Sequence, residues 1–235
     1  EDVILKPGKY TFLKEDFPTR YLIVLFRILV INAEDIINVN KIQNNIMLEA
    51  NKLKNNNELT IPNYNMKSYK KIRNHIYKLF ESVPELKTEN MFGRKGEVNE
   101  LNHLIGTLMG WGGLPEKHSI YISRTEKEND GKTEYKININ NVPVREFWSI
   151  IVYDKNGYID TNAKSISFNN LNAKQNNDGS YTINFSNNET LINFINIKKG
   201  WNYTIRMYEP DKKILNGEWT FPSAIKNLIN RKKIF

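Results

Sequence analysis

The carboxyl-terminal half of the sequence alternates apolar and polar residues in short segments, and this period of two constrains the fold most. From His118 onward seven such segments follow one another, separated by turn-forming sequences such as NDG, DKNG and NNDGS. Because short strands joined by tight turns pair in antiparallel order, we predict an antiparallel β-sandwich of jelly-roll type, without helices. The seven segments are SIYIS, TEYKINI, EFWSIIVY, SISF, SYTINF, NYTIRMY and GEWTF.

The middle of the sequence follows a helical period instead. Asn32 is a suitable N-cap for a first helix, since acidic residues and an apolar stripe follow it. The clearest helix begins at Met66 and has lysines opposite an apolar side formed by Tyr69, Ile72, Ile76, Leu79, Phe80 and Val83. A third helix, with Leu101, Leu104 and Ile105 on its apolar side, ends at the glycines of GWGG. The predicted fold class is therefore α+β, with a helical middle segment.

The longest apolar run is YLIVLFRILVI, residues 21–31. It is about half the length of a membrane-spanning helix and Arg27 interrupts it, so we predict a buried strand and no membrane insertion. A buried guanidinium requires a partner, and Glu34, Asp35, Asp154 or a bound anion are the candidates for Arg27.

These patterns predict two regions along the chain. Residues 1–117 hold the strand and the helical segment, and residues 118–235 form the β-sandwich domain.

Composition excludes several classes of protein. The chain has no cysteine, which excludes disulfides, thiolate zinc sites and a cysteine nucleophile. Its formal net charge is +8, but the basic clusters SYKKIRNHIYK and NRKKIF are short, far apart and without a nucleic-acid-binding motif. A solvated basic surface is therefore favoured over nucleic-acid binding.

Motifs of the common enzyme classes are absent from the sequence. It has no Gly-x-Ser-x-Gly elbow, no Gly-x-x-x-x-Gly-Lys loop and no His-Glu-x-x-His helix. The histidines His75, His103 and His118 lie far apart, so we expect neither a metal nor a cofactor. His118 is the most informative, because it opens the first predicted strand; a Ser-His pair with Ser119 or Ser149 is the less favoured alternative to a surface histidine.

Two predicted strands carry candidate ligand-binding residues. In EFWSIIVY a period of two places Trp148 on one face and Phe147, Ser149 and Tyr153 on the other. Since both faces are apolar, the strand belongs at the centre of a sheet and its aromatic residues are chiefly core. An aromatic binding wall stays open on the face that meets the helices.

Arg206 interrupts the strand NYTIRMY and shares a face with Thr204 and Tyr208. That face is either a polar outer wall or a ligand pocket. The predicted ligand-binding residues are Arg27, Trp148, Arg206 and Tyr208.

Five short motifs resemble one known family. They are Phe-Trp-Ser at 147–149, Tyr-Asp at 153–154, Asp-Gly-Ser at 178–180, Arg-x-Tyr-x-Pro at 206–210 and Trp-x-x-Pro at 219–222. With them, residues from about 98 to 225 resemble the uncharacterised family called domain of unknown function 1214. FPTRYLIVLFRILVINAEDI, within residues 1–46, is similar to the end of the companion family 1254, most of which is missing from this sequence.

The resemblance implies a jelly-roll-like sandwich, oligomers, and a family common in exported bacterial proteins and present in viral or phage genomes. An exported or periplasmic location is favoured, and the start at Glu1 without a methionine fits a mature exported protein or a trimmed chain.

Three functional hypotheses follow. The leading one is an oligomeric protein that binds a small apolar or amphipathic ligand between helices and sheet. The alternative is a hydrolase of carboxylic esters or amides near Arg27, with His118, Asp35 and Tyr121 as weak catalytic candidates. The third is a viral or phage structural protein, since jelly rolls build capsids and β-edges promote assembly.

Overall fold

A computed structural model describes residues 7–17, 23–30, 32–49, 61–82, 90–110 and 112–227 of the protein. The chain divides into two compact units, one within residues 6–70 and one from residue 71 onward. The predicted α+β class is confirmed, since the described residues form four α-helices and two sheets.

The helices are α1 (Ile36–Asn44), α2 (Met66–Glu81), α3 (Glu100–Gly110) and α4 (Lys212–Leu215). Asn32 acts as a cap, as predicted: its side-chain oxygen accepts hydrogen bonds from the backbone N–H groups of Glu34 and Asp35, in a short 3₁₀ turn that leads into α1. The end of the predicted stripe on α2, Val83, lies outside the described residues.

The strands, in chain order, are β1 (Ser119–Arg124), β2 (Tyr135–Ile139), β3 (Trp148–Tyr153), β4 (Ser167–Asn169), β5 (Tyr181–Phe185), β6 (Phe194–Ile195), β7 (Asn202–Tyr208) and β8 (Ile225–Lys226). They form a first sheet of order β1-β7-β3-β4 and a second sheet of order β6-β5-β2-β8. All neighbouring strands are antiparallel except β5 and β6, which are parallel.

Six of the seven predicted strands are confirmed, and the prediction for GEWTF is wrong. Residues 217–221 form a turn and irregular backbone, because the N–H of Trp219 donates to the carbonyl of Lys213 beside α4. The prediction that no helix follows His118 is also wrong. Asp211 caps α4 through its side chain, which accepts from the N–H of Lys213.

Both sheets contribute to one hydrophobic core. Trp148, Ile150 and Val152 alternate into it from β3, as predicted, and β3 lies inside the first sheet between β7 and β4. The other strands add the remaining large buried side chains, among them Ile137, Ile183, Phe185, Tyr203, Ile205 and Met207. Each sheet therefore buries one face and leaves the opposite face for other contacts.

The buried strand predicted for residues 21–31 is wrong over the part that the structure describes. Residues 23–30 form no strand, and Ile23 and Leu25 are 77% and 72% exposed. An apolar, β-branched run becomes a strand only where another strand supplies hydrogen bonds, and this part of the run has no such partner among the described residues. Residues 21, 22 and 31 lie outside the described residues.

Candidate ligand-binding face

The first sheet turns polar and aromatic side chains to the face opposite the core. The antiparallel register aligns Tyr121 of β1, Arg206 of β7 and Ser149 of β3 in one row across three strands. Ser119 and Tyr208 form the next row, and Tyr153 lies further along β3 on the same face. We call these six residues, Ser119, Tyr121, Ser149, Tyr153, Arg206 and Tyr208, the Arg206 face.

Arg206 is the central group of this face, because β7 lies between β1 and β3. Its Nη2 atom donates to the Tyr153 hydroxyl at 2.6 Å. Its Nη1 atom is buried and makes no hydrogen bond within the described part of the chain. An unsatisfied buried donor costs about 1–3 kcal/mol, so this position favours an acceptor such as a carboxylate oxygen.

Aromatic side chains flank the guanidinium. The rings of Phe147 and Tyr208 stack with their centroids 4.3 Å apart, and both residues are half-buried. The Tyr121 hydroxyl accepts a hydrogen bond of 3.4 Å from the backbone N–H of Leu114 in the connection before β1. Rings of this kind offer apolar area to the hydrocarbon part of a ligand.

A buried carboxylate follows the Arg206 face directly. Glu209 is 6% exposed, and its side chain binds His118 Nδ1 at 2.7 Å and Arg145 Nη2. Its backbone N–H donates to the His118 carbonyl, and its carbonyl accepts from the Arg145 N–H. Glu209 thereby joins the start of β1, the end of β7 and the segment before β3.

The backbone of Glu209 is held in the left-handed region, with φ of 50°. For a residue with a side chain this conformation costs about 1–2 kcal/mol. The contacts with His118 and Arg145 offset that cost, so the geometry points mainly to a structural anchor at this end of the sheet.

The predicted catalytic candidates occupy different surroundings. His118 is held by Glu209, and no hydrogen bond joins it to Ser119 or Ser149 in the described residues. Tyr121 lies on the Arg206 face. Asp35 ends the 3₁₀ turn before α1, within the unit of residues 6–70.

Two predicted ligand-binding residues lie away from the Arg206 face. Trp148 points into the core, is 3% exposed, and packs edge to face against Tyr181 and Phe221 with centroids 5.3 and 6.2 Å away. It stabilises the fold and is not part of a wall on the opposite face. Arg27 is exposed beside a shallow cleft formed by Leu25, Phe26, Ile28, Val30, Val39 and Gln43.

A separate cleft of about 180 Å³ opens beside Tyr153. Its charged groups already have partners: Asp160 pairs with Lys198 at 2.7 Å, and Asp154 accepts from the backbone N–H groups of Tyr158 and Asn156. The bond from the Tyr158 N–H and then that from Asn156 hold the pKa of Asp154 below its ordinary value. Because the cleft is smaller than most small-molecule pockets, about 300–1,000 Å³, and its charges are satisfied, the Arg206 face is the stronger candidate.

Sequence reasoning missed Glu209, Arg145 and the role of Tyr153 as the partner of Arg206. The motif Arg-x-Tyr-x-Pro contains Glu209 at its second variable position, but nothing in the sequence signals its partners. Within the described residues there is also no cluster of three or more His, Asp or Glu side chains placed to hold a metal.

Residues 118–212 match the family model described as "Protein of unknown function (DUF1214)". This part of the chain is similar to DUF1214 sequences. The predicted resemblance to that family is thus confirmed for residues 118–212, whereas the similarity of residues 1–46 to the companion family stays a prediction. The DUF1214 match contains every residue of the Arg206 face and also His118, Arg145 and Glu209. None of the curated proteins matches the sequence significantly.

Two solved structures resemble this chain. The VPA0106 protein from Vibrio parahaemolyticus is 23% identical with a TM-score of 0.52, and the similarity covers 73% of this chain and 47% of that one. A putative uncharacterized protein from Burkholderia cenocepacia is 14% identical with a TM-score of 0.36, over 71% of this chain and 43% of that one. The first likeness supports the fold alone, and this chain spans less than half the length of either protein.

Proposed function

We propose that the Arg206 face binds a small organic acid, with the carboxylate on Arg206 and the apolar part against Tyr121 and the Phe147–Tyr208 stack. The observation that carries this proposal is the buried Nη1 atom of Arg206, which makes no hydrogen bond among the described residues. A guanidinium bound to a carboxylate forms charge-assisted hydrogen bonds, which are about twice as strong as neutral ones. The proposal specifies the small amphipathic ligand that the sequence analysis favours.

Local charge supports an anionic ligand over a cationic one. Glu209, the buried carboxylate next to the face, is held by two basic side chains and is not available to a cation. Arg206 therefore remains the charged group that faces a ligand. The formal net charge of +8 adds a weak long-range attraction for anions.

The wider architecture and assembly stay proposals. The core shared by the two sheets supports an antiparallel β-sandwich. Jelly-roll connectivity, a homo-oligomer and an exported location rest on the family resemblance alone. The pocket between helices and sheet is replaced in this proposal by the Arg206 face.

Calorimetric titration with a matched pair of ligands tests the proposal. The probes are 3-phenylpropanoate and 3-phenylpropanamide, which share shape and apolar area but differ in charge. We expect the acid to bind more tightly than the amide, and Arg206→Gln to weaken only the acid. The lost charged hydrogen bonds correspond to about 1.5–3 kcal/mol, or about ten- to 150-fold in Kd.

Arg73→Gln is the matched control, because it removes the same charge from α2, outside the Arg206 face. It should leave both affinities unchanged. Arg206→Lys keeps the charge and should show an intermediate loss, so it serves if Arg206→Gln does not fold. Equal binding of acid and amide by the unaltered protein, or no effect of either Arg206 variant, would contradict the proposal.

One observation favours a second candidate, the hydrolase. The 2.7 Å contact between His118 Nδ1 and Glu209 Oε1 resembles the pairing that orients a general base. A hydrolase would release p-nitrophenol from the p-nitrophenyl ester of the same acid, and His118→Gln would abolish turnover while leaving acid binding intact. If turnover is absent, or if His118→Gln does not change it, the hydrolase hypothesis is contradicted. Binding of an organic acid then remains as the proposed function.

A further inference from the structure

Helix α2 concentrates positive charge along one side. Its sixteen residues include five basic side chains, Lys67, Lys70, Lys71, Arg73 and Lys78, against one acidic residue, Glu81. At about 100° per residue the four lysines fall on one side of the helix. Tyr69, Ile72, Ile76 and Leu79 fall on the other side.

The apolar side of α2 is open to solvent. Tyr69, Ile72 and Leu79 are 53%, 56% and 43% exposed, and Met66 at the start of the helix is 57% exposed. Exposed apolar side chains that line one side of a helix indicate a surface that another phase or molecule covers. The position of Arg73 also fits such a surface, because its guanidinium lies 4.8 Å from the ring of Tyr77 and its long stem can reach past apolar groups.

Exposed apolar side chains alone do not distinguish α2 from helix α3. Leu101 and Leu104 of α3 are 53% and 48% exposed, much like the apolar side of α2. Yet α3, with the sequence ELNHLIGTLMG, has no lysine or arginine and begins with Glu100. Of these two helices, only α2 combines an exposed apolar side with a basic side.

We propose that α2 binds the surface of a membrane that contains anionic lipids. The helix lies in the plane of the surface, with Tyr69, Ile72 and Leu79 at the boundary of the acyl chains and the lysines among the phosphates. An amphipathic helix that is polar overall, with lysines along one side and apolar residues along the other, has the composition of such an interfacial helix. No helix within the described residues is long and apolar enough to cross the bilayer, which agrees with a helix that lies on it.

Vesicle co-sedimentation of the full chain tests this proposal, independently of the Arg206 face. The vesicles contain phosphatidylcholine alone or phosphatidylcholine mixed with phosphatidylglycerol. We expect binding to the mixed vesicles that weakens with salt, and little binding to phosphatidylcholine alone. Ile72→Glu should weaken binding about tenfold or more, since it replaces buried apolar area with charge.

Lysine replacements and a matched control complete the test. Each of Lys70→Gln, Lys71→Gln and Lys78→Gln should weaken binding by about fivefold. Leu101→Glu in α3 makes the same kind of change at an equally exposed leucine and should leave binding unchanged. Leu79→Glu provides a second variant on the apolar side if Ile72→Glu lowers the helix content seen by circular dichroism.

Several results would overturn the proposal. One is the absence of binding to mixed vesicles, and another is binding that neither apolar variant weakens. Equal loss in Leu101→Glu would show that α2 is not the contact. Tight binding to a DNA duplex that the lysine variants weaken and Ile72→Glu does not would assign the basic side to a nucleic acid instead.

Discussion

At the scale of single residues, Asn193 shows how one buried amide can hold two segments together. It is 7% exposed and adopts a φ of 48°. Its Nδ2 group donates to the carbonyls of Lys174 and Thr182 at 2.8 and 3.0 Å, and its Oδ1 accepts from the Lys174 N–H at 2.8 Å. Only an amide side chain supplies two donors and an acceptor in this shape.

Asn193→Asp tests that arrangement with almost no change in volume. A carboxylate cannot donate, so the carbonyls of Lys174 and Thr182 lose these hydrogen bonds and face a negative charge. We expect a loss of at least about 2 kcal/mol in the free energy of unfolding, measured by urea denaturation. Asn138→Asp on β2 is the control, because Asn138 is exposed and its Oδ1 accepts from Thr182. Equal stability of the two variants would contradict this account of Asn193.

The buried Tyr203 makes the stability of the folded protein depend on pH. Its side chain is buried, and its hydroxyl donates to Glu126 Oε1 at 2.8 Å. Burial first, and then the hydrogen bond and charge of Glu126, raise the pKa of Tyr203 above its ordinary value of 10.0. Because the folded pKa is the higher one, the stabilisation is complete below pH 10.0 and is lost as pH rises toward the folded pKa.

Comparison with Tyr203→Phe isolates this effect from the other groups that titrate at alkaline pH. The variant should be less stable at about pH 8, where the hydrogen bond is lost, by about 0.5–1.5 kcal/mol. Between about pH 8 and about pH 11 its stability should fall less than that of the unaltered protein. Urea denaturation at both pH values gives the difference, and parallel losses in the two proteins would refute the role of Tyr203.

The sequence predicts the role of a side chain when the residue interrupts an apolar pattern. It does not predict the role when that depends on partners far away in the sequence. Arg206 stands out among apolar strand residues, and the structure places it on a polar face. The prediction that the aromatic residues of EFWSIIVY are chiefly core holds for Trp148, which is buried, but not for Phe147 and Tyr153, which are half-buried on the opposite face. Glu209 gives no signal, because its partners His118 and Arg145 are 91 and 64 residues away in sequence.

At the scale of elements, alternation predicts the strands that are long enough to show a period. Strands β6 and β8 have two residues each, which is too short for alternation to be visible. GEWTF and residues 23–30 have strand-like composition but do not pair with a strand in the described residues. Composition shows that a segment is compatible with a strand, but the strand forms only where a neighbouring strand pairs with it.

The turn before β2 offers a test at this scale. Gly131 has a φ of 78°, and an added Cβ would lie 2.6 Å from the backbone nitrogen of Lys199. Gly157, in the turn after β3, has a φ of 82° and open space around it. An alanine at either position would therefore have the same backbone strain. Only an alanine at position 131 would also come too close to a neighbouring backbone segment.

Gly131→Ala should destabilise the protein more than Gly157→Ala. Both variants lose about 1–2 kcal/mol from the left-handed backbone, and Gly131→Ala adds about 1–3 kcal/mol from the clash with a neighbouring backbone segment. Urea denaturation of the two variants gives the difference directly. Equal losses would mean that the segment at Lys199 moves away without cost.

At the scale of the whole molecule, the family is predictable and the assembled site is not. The four motifs between residues 147 and 210 lie within the match over residues 118–212, whereas Trp-x-x-Pro at 219–222 lies beyond it. The Arg206 face, in contrast, combines three strands whose order in the sheet is β1-β7-β3, so its composition follows from long-range register. A sequence pattern fixes which side of a strand a residue occupies, but not which strand lies beside it.

The Arg206 face and helix α2 are both proposed to bind anions, and the two proposals can be tested independently. The Arg206 face depends on one guanidinium and should respond to the charge of a small ligand. Helix α2 depends on several lysines and an apolar side, and should respond to lipid composition. Loss of vesicle binding in Ile72→Glu should therefore leave the affinity for an organic acid unchanged.

The most direct test of the central claim is the ratio of the Kd values for 3-phenylpropanamide and 3-phenylpropanoate, measured by calorimetry on the unaltered protein and on Arg206→Gln. The account predicts a ratio of about ten or more in the unaltered protein, which falls close to one in the variant. A ratio close to one in the unaltered protein, or a ratio that Arg206→Gln leaves unchanged, would contradict it.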